Sequence, residues 1–396
     1  MKPTIRARAI VAAAVAAALA APALLAQPAT ASRTPVSLKP TVKVIKIAPG
    51  LTLTKIVEKQ TPRRTFILTA DLSKPLTLDL TLAGNQLPAR AKTGEMAKRA
   101  SALAAVNGDF TDPGIGRPIH PFAFDGQLLQ TARQVGAMFA VSRDEQHVYA
   151  GRPAVTVSVT DTSTQRVFTL SGWNDGPPAA GEIAGFSDLG GTLEHPPDHA
   201  CSVRLLPTGA PTPSAQADGV DQDFTVDTAA CAEDPMPPSG GVVLSAPPST
   251  DEATQLLALA SGTTMRLHWT LGWPDVFDAV GGMPLLLSDG RIAVSPDCHT
   301  SLCRPNPRTG IGVTANGKIL LVVVDGRQPK WSLGPTLFGF ARIMQDHGAV
   351  WALNLDGGGS TTMVVEGAVV NRPSDGFQRS ISNAVLVLPG ADPGES

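Results

Sequence analysis

Near the C-terminus, Asn354-Leu355-Asp356-Gly357-Gly358-Gly359-Ser360-Thr361-Thr362 sets an amide and a carboxylate before three glycines and three hydroxyls after them. Glycine backbone can adopt positive φ and approach a ligand closely. Four other segments place polar residues beside apolar runs in the same way. Val106 precedes Asn107 and Asp109, Arg308 and Thr309 precede Ile311, Val324 precedes Asp325 and Arg327, and Arg379 precedes the final apolar run. Carboxylates at Asp109, Asp325 and Asp356 are the equipment of glycosidic bond cleavage through an oxocarbenium-like transition state. Arginines at Arg308, Arg327 and Arg379, with free backbone N–H groups at Gly357, Gly358 and Gly359, make an anion site suited to phosphate.

Simpler readings exist for several of these residues. Asp325-Gly326 fits a hairpin turn, Asp109 fits an Asx-turn and Arg379 fits an exposed surface. His120 could line a cleft or serve the fold. The other histidines show no metal-ligand spacing, and the loop is neither a nucleophile elbow nor a Walker loop, since it lacks the lysine.

The elements that would carry these groups are mostly strands. Apolar or alternating runs predict strands at 41–47, 65–72, 76–82, 103–106, 155–160, 264–271, 285–287, 311–314, 319–324, 350–353 and 384–388, with a hairpin around Asp125-Gly126. Val350-Trp351-Ala352-Leu353 and Met363-Val364-Val365 flank the glycines, which reads as strand, sharp turn, strand. Helices are expected at 93–102, 251–260 and 336–347. The last carries an apolar stripe at Leu337, Phe340, Ala341 and Met344, with Gly348 at the C-terminal cap. The stretch 172–248 is rich in Pro, Gly and Asp with weak periodicity, and reads as a loop-rich insertion tied by a disulfide. The fold class is therefore α+β, a mixed multi-stranded sheet core with a few short helices and long disulfide-tied loops.

Residues 1–31 read as a secretory signal, with Lys2, Arg6 and Arg8 before an alanine-rich run and Ala29-Thr30-Ala31 at the cleavage site. An N-terminal strand-rich segment over 32–99 and a main domain over 100–390 follow. Removing the signal leaves 29 Lys and Arg against 34 Asp and Glu, a net charge of −5. That balance argues against nucleic acid as a partner, and no later run is long enough for stable membrane insertion. Four cysteines in an exported chain point to disulfides. The spacing suggests Cys298 with Cys303 and Cys201 with Cys231, with three connectivities open.

The glycine segment resembles the signature of the phosphodiester glycosidase domain family, that of the lysosomal uncovering enzyme. Val106-Asn107-Gly108-Asp109-Phe110, Gly281-Gly282-Met283-Pro284-Leu285, Arg308-Thr309, Val323-Val324-Asp325-Gly326-Arg327 and Asn371-Arg372-Pro373-Ser374-Asp375 with Arg379 resemble its further motifs, in order, over about residues 100–388. Thr111 departs from the aromatic often found there. The resemblance implies a secreted hydrolase that removes a sugar from a sugar-1-phosphodiester. Arg308 and Arg379 with the glycine backbone would bind phosphate. Asp356 or Asp325 would orient water or stabilise the sugar cation, and Asn107 would position a sugar hydroxyl. Asp109 joins the catalytic set; Thr309, Arg327, Asn354, Ser360 and Thr361 join the substrate-binding set. No cofactor is required, and the aspartates leave room for a divalent metal. The competing readings are a metal-dependent phosphodiesterase cutting P–O, and a non-catalytic protein binding a cell-envelope glycan. One Tyr and five Trp are few aromatics for the latter.

Overall fold

A computed structural model describes residues 39–131, 136–144, 147–215, 217–231 and 236–390. The expected signal segment 1–31 lies outside the described residues. Three short helices, α1 (Thr93–Arg99), α2 (Asp251–Leu257) and α3 (Leu337–Asp346), stand among many strands, so the chain is more β-rich than the α+β reading. The helices fall where caps and periodicity predict them. The Thr336 hydroxyl accepts from the Gly339 N–H at 3.0 Å, closing the start of α3. Leu337, Phe340, Ala341 and Met344 are all buried.

An eight-stranded sheet runs Thr41–Ala48, Leu51–Glu58, Arg63–Ala70, Ile319–Val324, Arg308–Thr314, Ala349–Asn354, Leu285–Ser288, Arg291–Ile292 in spatial order. The continuously apolar Ile319–Val324 lies inside this sheet, between Arg63–Ala70 and Arg308–Thr314. A five-stranded sheet places Ala368–Val369, Met363–Val365, Ala104–Asn107, Asn383–Pro389 and Leu76–Leu82 side by side. Leu68, Leu80, Val106, Leu321 and Leu353 belong to one buried cluster contributed by both sheets. Burial on this scale, at roughly 1.5–3 kcal/mol per large side chain, anchors the strand ends.

The stretch 172–248 corrects the loop-rich expectation. It contributes Gly172–Trp173, Ala184–Ser187, Cys201–Pro207, Thr212–Pro213, Val220–Cys231 and Val242–Ala246 to a nine-stranded sheet with Thr156–Asp161, Arg166–Thr169 and Thr264–Thr270. Val203, Leu205, Phe224, Val226 and Leu244 build a second core with Trp173 and Trp269. Cys201 and Cys231 are register partners on adjacent strands of this sheet and are disulfide-bonded, as are Cys298 and Cys303. Prolines and glycines at the strand ends hide the alternation that the interiors keep. The sheets are almost wholly antiparallel. Among the described residues the one parallel ladder joins Gly172–Trp173 to Ala184–Ser187.

Candidate active site

The glycine loop is a bridge between two sheets. Leu353 pairs with Ile311 in the eight-stranded sheet, whereas Met363 pairs with Val106 in the five-stranded one. The flanking strands form as expected on either side of the turn, but they belong to different sheets and do not pair with each other, so the loop is not a hairpin. The loop is held from below by main-chain bonds. Leu355 N–H donates to the Thr309 carbonyl at 2.9 Å, Asp356 N–H to Gly108 at 3.0 Å and Gly358 N–H to Pro307 at 3.0 Å. The strand ends carrying Asn107, Arg308 and the glycine loop therefore meet at one place.

Asn107 is the clasp of this junction. Its Nδ2 donates to the Asp356 carbonyl at 2.7 Å, and its Oδ1 accepts from the Thr309 hydroxyl at 2.8 Å and the Thr362 N–H at 3.0 Å. The side chain is buried and largely occupied within the protein. Its evident work is to fix the loop.

Asp356 is half-buried, and its Oδ1 accepts the Gly357 N–H at 2.8 Å. Burial pushes its carboxyl up from 3.8 to about 6. The Ser360 hydroxyl and the Gly357 N–H oppose the rise, the Asp109 charge adds to it, and Arg379 opposes it. Asp109 is fully buried. It accepts from Phe110 N–H at 2.7 Å, from His120 N–H at 2.8 Å and from His120 Nδ1 at 2.7 Å, while its own N–H donates to Asn383 Oδ1 at 2.8 Å. Burial lowers the His120 pKa, but its hydrogen bond to Asp109 and the Asp109 charge outweigh this, and the net direction is upward.

Two guanidiniums pack on the glycines. A Cβ at Gly358, whose φ is +59°, would lie 3.0 Å from Arg327 Nη2; a Cβ at Gly359 would collide with Arg379 Nη2 and Asp375 Oδ2. These positions need glycine because side chains from two other segments occupy the space a Cβ would take. Arg327 Nε donates to Asn306 Oδ1 at 3.0 Å, and Arg379 Nη2 donates to Asp375 Oδ2 at 2.7 Å. Arg308 is turned elsewhere. It is buried, with Nη2 donating to the carbonyls of Leu302 at 2.6 Å and Arg304 at 2.7 Å, so it holds the segment carrying the Cys298–Cys303 disulfide. Burial, assisted by the Arg327 charge, lowers its pKa to about 10, and it stays protonated at neutral pH.

Asp325 is also a clamp. Its oxygens accept from Trp331 Nε1 at 2.7 Å, Asn371 Nδ2 at 3.1 Å and Arg372 N–H at 3.0 and 3.2 Å. Burial raises its pKa against these donors. Asn371 Nδ2 also reaches the Thr361 carbonyl at 3.1 Å, which ties the 371–372 segment to the loop. Asn354 Nδ2 donates to the Met283 carbonyl at 2.7 Å. Asn354 Oδ1 and the hydroxyls of Thr361 and Thr362 are buried without a protein partner. Three such atoms from one short segment leave hydrogen-bonding capacity for water or substrate.

Sequence reasoning left Trp331 and Asn383 out of the candidate site, weighed His120 only as a residue that could line a cleft, and took Asn371 only as part of a resembling motif. Asn371 and Asn383 are recruited from distant segments, Asn371 by the Asp325 carboxylate and Asn383 by the Asp109 N–H. For a metal, one group of three ligating side chains with ligand atoms within 4.8 Å occurs among the described residues, Asp79, Asp125 and Asp278. It contains none of the glycine-loop residues.

The family model for phosphodiester glycosidase matches residues 217–388. The SPbeta prophage-derived uncharacterized protein YomE of Bacillus subtilis is 34% identical over 82 residues, 21% of this chain and 13% of that protein. The N-acetylglucosamine-1-phosphodiester alpha-N-acetylglucosaminidase of Bos taurus is 38% identical over 87 residues, 20% of this chain and 16% of that enzyme. The matched segments are thus a small part of both curated relatives. A crystal structure of a hypothetical protein from Synechocystis shares the fold, with a TM-score of 0.67 at 21% identity, covering 88% of this chain and 64% of that one. Asp325, Arg327, Asp356, the three glycines and Arg379 all fall inside the family match, so over residues 217–388 this chain resembles the phosphodiester glycosidase family.

Proposed function

We propose that this protein is a secreted hydrolase that cleaves the bond between a sugar C1 and the phosphate oxygen of a sugar-1-phosphodiester. The observation that carries the reading is the loop itself. A carboxyl pushed up to about 6 sits beside three glycines on which two guanidiniums pack. The family match over the same residues supports it, and two disulfides agree with an oxidising compartment.

In this reading Arg327, Arg379 and the Gly357–Gly359 backbone hold the phosphate. The C1–O bond breaks and its electron pair leaves on phosphate. The leaving group is a phosphate monoester whose second pKa is about 6, so it departs without full protonation, and guanidinium charge stabilises it as it forms. Ionised Asp356 stabilises the sugar cation and then accepts a proton from the water whose oxygen joins C1. The products are the free sugar and a phosphomonoester. Asn107 and Asp325 position the loop, Asp109 with His120 supports it, and Arg308 braces the strand beneath. This assignment moves the phosphate contact from Arg308, whose Nη2 is engaged by carbonyls, to Arg327.

The deciding test is turnover of an N-acetylglucosamine-1-phosphodiester in oxygen-18 water. Label in the sugar supports C–O cleavage. Label in the phosphate supports metal-dependent P–O cleavage instead. Saturable glycan binding without turnover supports a non-catalytic protein.

A further inference from the structure

The hydrolysis reading leaves a charged surface beside the loop unused. Arg64 and Arg372 both pack over the Trp331 ring, with guanidinium carbons 3.5 and 5.4 Å from its centre. The Trp331 indole donates to Asp325, as does the Arg372 N–H, and the Arg372 carbonyl accepts from Gln328 Nε2 at 3.0 Å. The Arg372 backbone is thereby fixed at both its N–H and its carbonyl, while its side chain is exposed. Gln328 follows Arg327, the residue packed against Gly358, so the Trp331 platform adjoins the phosphate-binding end of the glycine loop.

The charge at this surface is only partly compensated, by the buried Asp325 carboxylate beneath it. Some exposed arginines elsewhere have carboxylate partners, as Arg143 has Asp275 and Arg204 has Asp227. Among the described residues, the guanidiniums of Arg64, Arg327 and Arg372 have no carboxylate within ion-pair distance. Arg64 and Arg372 share one aromatic ring, and like charges on one surface repel, so a bound anion would relieve that repulsion. Stacking on an aromatic face holds a guanidinium in place without using its N–H donors; Arg64 Nη1 donates to the Trp331 carbonyl, and its remaining N–H groups and those of Arg372 are available.

We propose that Arg372 and Arg64, displayed on Trp331, form a second anion subsite that binds a further phosphate on the leaving-group side of the substrate. The preferred substrate is then a sugar-1-phosphodiester whose aglycone carries another phosphate. That phosphate comes either directly bonded, as in a nucleoside diphosphate sugar, or through a short alcohol spacer, as in a polymeric phosphodiester. The inference rests on the hydrolysis reading for its substrate, but not for its binding test.

The experiment compares wild type and Arg372→Gln on three substrates: the N-acetylglucosamine-1-phosphate methyl diester, the same diester of glycerol phosphate, and UDP-N-acetylglucosamine. A charge-assisted contact at a partly exposed site supports about a tenfold rise in KM for a doubly charged substrate. The methyl diester should change less than about twofold by the same reasoning. Whichever doubly charged substrate responds gives the spacing of the two phosphates. An equal effect on all three, or on none, overturns the subsite. A parallel calorimetric titration with glycerol 1,3-bisphosphate needs no turnover. A loss of about tenfold in affinity in Arg372→Gln supports the subsite even if hydrolysis fails, and equal affinities overturn it.

Discussion

Asp356→Asn offers the sharpest separation of chemistry from architecture. The change is nearly isosteric. The Asp356 carbonyl that accepts from Asn107 and the N–H that donates to Gly108 belong to the backbone and are retained, and an asparagine oxygen can still accept from Gly357 N–H. What disappears is the charge. A carboxyl moved from 3.8 to about 6 by burial carries roughly 3 kcal/mol against its ionised form at neutral pH. Because the folded pKa lies above the unfolded one, the penalty is absent below the unfolded value, grows as pH rises and is complete above the folded value. Asp356→Asn should therefore be more stable than wild type by about 1–3 kcal/mol near pH 8, discounted for partial exposure and lost hydrogen bonding. The two should converge near pH 3.5. Urea unfolding across that range measures it directly. Turnover should fall by at least about a thousandfold in the variant. In wild type, activity should fall as pH drops through about 6, as the required carboxylate is protonated. A stability difference independent of pH, or a less stable variant near pH 8, would refute the reasoning about buried charge.

Two further outcomes follow from the same geometry. Gly359→Ala places a Cβ against the flexible ends of Arg379 and Asp375 without a positive φ. Unfolding free energy should shift by less than about 1 kcal/mol, while KM for a phosphodiester rises about tenfold; loss of folding would show that the contact is structural. His120→Gln removes the ionisable partner of buried Asp109. Since the His120 pKa is raised, its contribution is present below the unfolded value and lost as pH rises through the folded one. The variant's deficit, about 1–3 kcal/mol, should be larger near pH 5.5 than near pH 9, and equal deficits at both would contradict the charged pair.

Much of the fold is written locally. The helix α3 follows from a threonine cap, an apolar stripe and Gly348 at φ +91°, all within one segment. The strands at Leu76–Leu82 and Ile319–Val324 follow from alternation and from a continuous apolar run. The strands of the second core within 172–248 did not show through because Pro and Gly crowd the connections between them and much of their pairing is with strands outside that stretch. Val220–Cys231 pairs with Thr264–Thr270, for instance.

For the candidate site, residue type and local order singled out Asp356, the three glycines and the nearby arginines as candidates for an anion site. Only the tertiary structure decided which polar side chains remain for a substrate. Asn107 meets Asp356, Thr309 and Thr362 across 249, 202 and 255 residues of sequence, and in meeting them becomes a clasp. Asp325 is occupied by Trp331, Asn371 and Arg372, and Arg308 by the carbonyls of Leu302 and Arg304. A side chain's chemical capability is a local property. Whether its donors and acceptors are already satisfied depends on which distant segments pack against it, and that is set when the sheets assemble.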